Sequence, residues 1–118
     1  MGKNLNIGML LDFYGELLTD KQSDAVDFYY NQDFSLSEIA DEMKISRQGA
    51  RDLIKRGEAQ LLDLEEALGL VKRFSKISGE LAEIKSSCLD IIEKTSDDGI
   101  KKDVLNIMDL IKKITDKI

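Results

Sequence analysis

Ser35-Leu-Ser-Glu-Ile-Ala-Asp-Glu-Met-Lys-Ile-Ser-Arg-Gln-Gly-Ala-Arg-Asp-Leu-Ile-Lys-Arg56 is the stretch whose reading decides the fold. Ser35 followed by Glu38 is a capping box, in which the hydroxyl accepts from the backbone near Glu38 and the carboxylate reaches back. Leu36, Ile39, Ala40 and Met43 then recur at helical spacing and make one apolar face. Ala40 is small enough to let two helices cross closely. Ile45 is placed to plug a turn into the core, and Ser46 is a natural N-cap for a second helix. Ala50, Leu53 and Ile54 form the buried side of that helix, leaving Arg47, Gln48, Arg51, Lys55 and Arg56 outside. The pattern is a helix-turn-helix, whose second helix is the element that enters a nucleic-acid groove. Arg and Gln can make bidentate contacts to base edges, and Lys and Arg hold phosphates. The candidate nucleic-acid-binding residues are therefore Lys44, Ser46, Arg47, Gln48, Arg51, Lys55 and Arg56. The turn position usually occupied by Gly is Lys44. A left-handed conformation costs a non-Gly residue about 1 kcal/mol, so the turn is either strained or of another type.

Upstream, Leu5, Ile7, Leu10, Leu11, Tyr14 and Leu18 predict an amphipathic helix over about 4–18. Thr19 and Gln22 make a second capping box, opening a helix from Asp20 to about Asn31. Five of the seven aromatic residues fall from Tyr14 to Phe34. They read as the core of a three- or four-helix domain rather than as a base-stacking platform. Asn31 to Phe34 is the loop into the motif.

Past Gly57 the character changes. Leu61, Leu64, Leu68 and Val71 repeat at 3–4 spacing, as do Leu81, Ile84, Cys88 and Ile91, and Val104, Ile107, Ile111, Ile114 and Ile118. These are three apolar stripes on charged helices. Ser75–Gly79 and Thr95–Gly99 are the expected breaks. One hairpin has too little surface to cover all three stripes, which predicts packing on the N-terminal part or on another copy, and a closed homodimer is the favoured form. The fold class is all-α. Residues 1–60 are read as a helix-turn-helix domain and residues 61–118 as a bundle or coiled-coil tail for packing or dimerisation.

Composition narrows the function. Of 118 residues none is Pro, His or Trp, and one is Cys. Without Pro, a chain rich in Leu, Ile, Lys and Glu suits long helices. A lone Cys88 on an apolar stripe is a buried filler, and its lack of a partner fits a reducing cytoplasm. No secretory signal is legible, and no run approaches the roughly 20 apolar residues of a membrane span. Catalysis has no support, with no His for proton transfer, no phosphate loop and no carboxylates at metal-ligand spacing. Asp97-Asp98-Gly99 resembles a calcium-loop fragment, but Lys101 and Lys102 follow, so a turn is the better reading. No enzyme, cofactor or metal is expected.

The net charge is −6, whereas a DNA-binding domain normally shows a basic footprint. The charge is uneven: residues 1–43 balance to −7, residues 44–60 to +3 and residues 61–118 to −2. One basic island lies in an acidic chain, which suits a structured RNA or a basic protein better than a long duplex.

Leu18-Thr-Asp-Lys-Gln22, Asp27-Phe-Tyr-Tyr-Asn31, Phe34-Ser-Leu-Ser-Glu-Ile-Ala-Asp-Glu42, Ile45-Ser-Arg-Gln48 and Ile54-Lys-Arg56 together resemble the YlxM family of small bacterial proteins. The motif is also similar to the promoter-reading region 4 of sigma factors. The YlxM resemblance covers roughly residues 4–75. It implies a non-enzymatic role beside the bacterial signal recognition particle, acting through its RNA, its GTPase Ffh or the receptor FtsY. Gly49-Ala-Arg51 departs from the more usual Ala-Val-Tyr of the family. Three roles stay open: an accessory protein on signal recognition particle RNA, a DNA-binding regulator of the sigma-region-4 type, and a protein adaptor whose acidic N-terminal helices dock on Ffh or FtsY.

Overall fold

The computed structural model describes residues 6–117, which form six α-helices and, among the described residues, no strand. α1 spans Asn6–Tyr14 and runs into a single 3₁₀ turn, Gly15–Leu17; α2 spans Asp20–Tyr30, α3 Leu36–Met43, α4 Arg47–Leu68, α5 Leu70–Lys94 and α6 Asp98–Lys117. The chain divides into two compact units, one ending at Val71 and the next beginning at Lys72.

Local chemistry sets the starts of α2, α3 and α4. Thr19 Oγ1 accepts from Gln22 N–H at 3.2 Å while Gln22 Oε1 accepts from Thr19 N–H at 3.3 Å. Ser35 and Glu38 make the same reciprocal pair at 3.1 and 3.0 Å. Each such cap contributes about 0.5–2 kcal/mol. Residues 4 and 5, where the first helix was expected to begin, lie outside the described residues.

The first unit has two apolar clusters that meet on either side of α2. Ile7, Leu10, Leu11, Tyr14 and Leu18 pack with Val26 and Leu61. Ala25 and Tyr29 pack with Ile39, Ala40, Ala50 and Ile54. Tyr30 touches both. Each fully buried large side chain contributes about 1.5–3 kcal/mol. The aromatic cluster is thus core: Phe28 and Phe34 stack with centroids 5.0 Å apart, and Tyr29 meets Tyr30 edge to face at 5.1 Å. α4 is the spine, packing against α1, α2 and α3. It lies tight against α2 at Gly57, where an added Cβ would stand 2.6 Å from Val26 Cγ2.

α4 ends at Gly69, whose φ of 63° is left-handed, and not by running on toward Val71. Tyr14 Oη donates to Glu65 Oε1 at 2.6 Å and accepts from Leu70 N–H at 3.1 Å, while Glu65 Oε1 also accepts from Val71 N–H at 3.0 Å. The exposed start of α5 is therefore capped by side chains from α1 and α4.

In the second unit α5 continues without interruption through Ser75–Gly79, where a break was expected. One Gly costs a helix about 1 kcal/mol and a Ser less; with no Pro in the chain, that is not enough to stop it. The second expected break, Thr95–Gly99, is present but shorter, since Asp98 and Gly99 already belong to α6. Thr95–Asp97 leave the helix, and Asp97 Oδ1 accepts from Gly99 N–H at 2.8 Å and Ile100 N–H at 3.1 Å. The calcium-like fragment is thus the N-cap of α6. Cys88 on α5 and Val104 and Ile111 on α6 are buried, whereas their stripe partners Ile84, Ile91, Ile107 and Ile114 are half-exposed. Ile118 lies outside the described residues. Among the described residues no helix is long and apolar enough to cross a membrane.

Candidate nucleic-acid interface

The site is α3, its turn and the first three turns of α4. Lys44 ends α3 in the left-handed region, with φ 57° and ψ 48°. The turn is thus the ordinary left-handed one, carrying a residue that pays its steric cost. Ile45 N–H donates back to Ala40 O at 3.0 Å, and Lys44 N–H donates to Asp41 O at 3.4 Å. This is a Schellman arrangement. It turns Ile45 down onto the cluster around Ile39 and Ala50 and leaves the Lys44 side chain exposed.

Ser46 then caps α4, its Oγ accepting from Gly49 N–H at 2.9 Å. Ala50 and Ile54 are fully buried and Leu53 is partly buried, so the helix is held on one side only. At 3.6 residues per turn the opposite face presents Gln48, Asp52 and Lys55, flanked by Arg51 and Arg56, with Arg47 in the first turn. All six are exposed. Lys44, Arg47, Arg51, Lys55 and Arg56 have no carboxylate within ion-pair distance among the described residues. The first turn of α4 contains no acid, so the positive end of its dipole is not neutralised locally.

The structure brings together every predicted candidate: Lys44 and Ser46 in the turn, and Arg47, Gln48, Arg51, Lys55 and Arg56 on α4. Two of them are already engaged. Ser46 is held as the cap, and Gln48 Nε2 donates to Asp52 Oδ1 at 3.0 Å. Asp52 is the member that sequence reasoning missed. Its i, i+4 spacing from Gln48 and Arg56 places it in the middle of the face. An acid there repels phosphate and accepts only from donors such as a cytosine amine. No group of three or more metal-ligating side chains occurs among the described residues.

A protein-family model described as "Putative helix-turn-helix protein, YlxM / p13 like" matches residues 1–102. The chain belongs to the UPF0122 family. A UPF0122 protein of Thermoanaerobacter sp. (strain X514) is 48% identical over 94 residues, covering 80% of each chain. A UPF0122 protein of Acetivibrio thermocellus is 50% identical over 84 residues, covering 71% of this chain and 72% of the relative. One from Desulforamulus reducens is 39% identical over 112 residues, or 94% and 92%. The UPF0122 match takes in all of α3 and α4, and a helix-turn-helix family suggests nucleic-acid binding.

Proposed function

We propose that the protein is a non-enzymatic cytoplasmic accessory factor of the bacterial signal recognition particle that binds the particle's RNA through α4 and acts as a homodimer. The observation that carries the nucleic-acid part is the exposed cluster Arg47, Arg51, Lys55 and Arg56, without an ion-pair partner among the described residues, on an otherwise acidic chain. The YlxM resemblance of residues 18–56 supplies the link to the particle. RNA is preferred to operator DNA because a chain of net charge −6 repels an extended duplex beyond the few phosphates that the island touches.

The test is titration against signal recognition particle RNA and a random DNA duplex of similar size at two salt concentrations. Selective RNA binding with a shallow salt slope, abolished in Arg47→Ala/Arg51→Ala, is the expected result. Weak, equal and steeply salt-dependent binding to both overturns it. A second reading has one observation in its favour: Asp20 and Asp24 lie exposed along α2, a surface that fits a basic protein such as Ffh or FtsY. On that reading Asp20→Lys/Asp24→Lys weakens the protein complex and leaves RNA binding untouched.

A further inference from the structure

α5 and α6 are joined by only Thr95–Asp97. Residues 78–85 share a cavity of about 220 Å³ with Ile111 and Thr115, so the two helices run antiparallel. Leu81 lines that cavity with Ile111, and Cys88, Val104 and Ile111 are buried; these four define the seam positions. Outside the seam each helix carries an isoleucine every seven residues: Ile77, Ile84 and Ile91 on α5, and Ile100, Ile107 and Ile114 on α6. All six are between 42 and 47% exposed. On both helices they stand three residues after or four before the seam positions. In an antiparallel pair that common offset turns both rows to one side of the hairpin. Leu89 and Leu105, each one residue past a seam position, fall on the opposite side.

We infer that this six-isoleucine face is buried against the same face of a second copy of the chain. The inference deepens the homodimer reading above and is independent of the RNA reading. Three observations favour a second copy as the occupant. Contiguous exposed apolar surface beyond a few hundred Å² marks an interaction site, and six isoleucines, each 42–47% exposed on one side of a hairpin, supply the apolar centre that an interface of roughly 800 Å² per partner is built around. Residues 72–118 hold ten basic and nine acidic side chains, so two identical faces meet without single-sign repulsion, whereas a strongly charged partner finds no complement. On α6, Ile107, Ile111 and Ile114 put isoleucine at both core positions of a seven-residue repeat, a choice that favours assemblies of more than two helices, and two hairpins supply four.

The test is sedimentation of the full chain beside two double variants, Ile84→Lys/Ile107→Lys on the face and Leu89→Lys/Leu105→Lys off it, with helicity followed by circular dichroism. The expected result is a wild-type particle of twice the 13.3 kDa chain mass, a helical monomer for the first variant and a dimer for the second. A monomeric wild type overturns both the homodimer reading and this face. A wild-type dimer that survives the first variant but dissociates in the second retains the homodimer and overturns the face. Should the Lys pair unfold the hairpin, Ile84→Ala/Ile107→Ala keeps helix propensity and raises the dimer dissociation constant at least tenfold; an unchanged constant overturns the inference.

Discussion

Lys44 and Gly57 are where single residues work against their intrinsic preferences. Lys44 sits at φ 57°, a conformation that costs a side chain about 1 kcal/mol and a glycine almost nothing. Lys44→Gly is therefore expected to stabilise the fold by up to about 1 kcal/mol, less the greater freedom of Gly in the unfolded chain. The denaturation midpoint reads this, and loss of one cation lowers RNA affinity in the same protein. Gly57 is the reverse case. In an exposed helix Gly→Ala gains up to about 1 kcal/mol, but here the new methyl would stand 2.6 Å from buried Val26. The fully buried Val26 has little room to yield, and overpacking costs about 1–3 kcal/mol. Gly57→Ala should lower the midpoint and move α4 away from α2. Asp52 belongs at this scale as well. Asp52→Ala removes a negative charge from the basic face and frees Gln48; the expected outcome is tighter RNA binding with a steeper salt slope, measured in the titration proposed above.

Among the elements, the starts of α2, α3 and α4 were legible and the junction of α4 with α5 was not. Thr19–Gln22 and Ser35–Glu38 are capping boxes because three-residue spacing alone brings their groups together. The break after α4 was not legible. Gly69 has hydrophobic neighbours and sits within an uninterrupted apolar stripe, so the pattern reads through it. What stops the helix is Tyr14 and Glu65 holding the amides of Leu70 and Val71, and Tyr14 is 56 residues away from Leu70. Gly79, by contrast, looked like part of a break and lies inside α5 with nothing within 4 Å of an added Cβ. Gly79→Ala should therefore raise stability by about 0.5–1 kcal/mol, seen as a higher thermal midpoint and greater helicity.

For the whole molecule, the corner at Tyr14 sets an alkaline limit. Burial pushes the Tyr14 hydroxyl above its usual value of 10.0, and the hydrogen bond to Glu65 pushes in the same direction. Above pH 10.0 the unfolded chain loses this proton before the folded chain does. The folded state then binds more protons, and stability falls as pH rises. The difference between wild type and Tyr14→Phe in alkaline denaturation should isolate this limb: the wild type loses stability above pH 10.0 more steeply than the variant, and the two run parallel through neutral pH.

The sequence by itself determined the all-α class, the helix-turn-helix, both capping boxes, the cap at Ser46 and the basic outer face of α4. Each of these depends on residues within about one turn of one another, where backbone geometry fixes who meets whom. Tertiary structure alone decided four things. Lys44 takes the left-handed turn because Ile45 must reach the core. Gly57 is required because α2 crosses α4 there. Asp52 stands in the centre of the outer face, a position that depends on which side of α4 is covered. The stripes of α5 and α6 each divide into a buried seam and an outward row of isoleucines. Helical periodicity states that a stripe is apolar; only the width of the helix packed against it settles how much of that stripe leaves water.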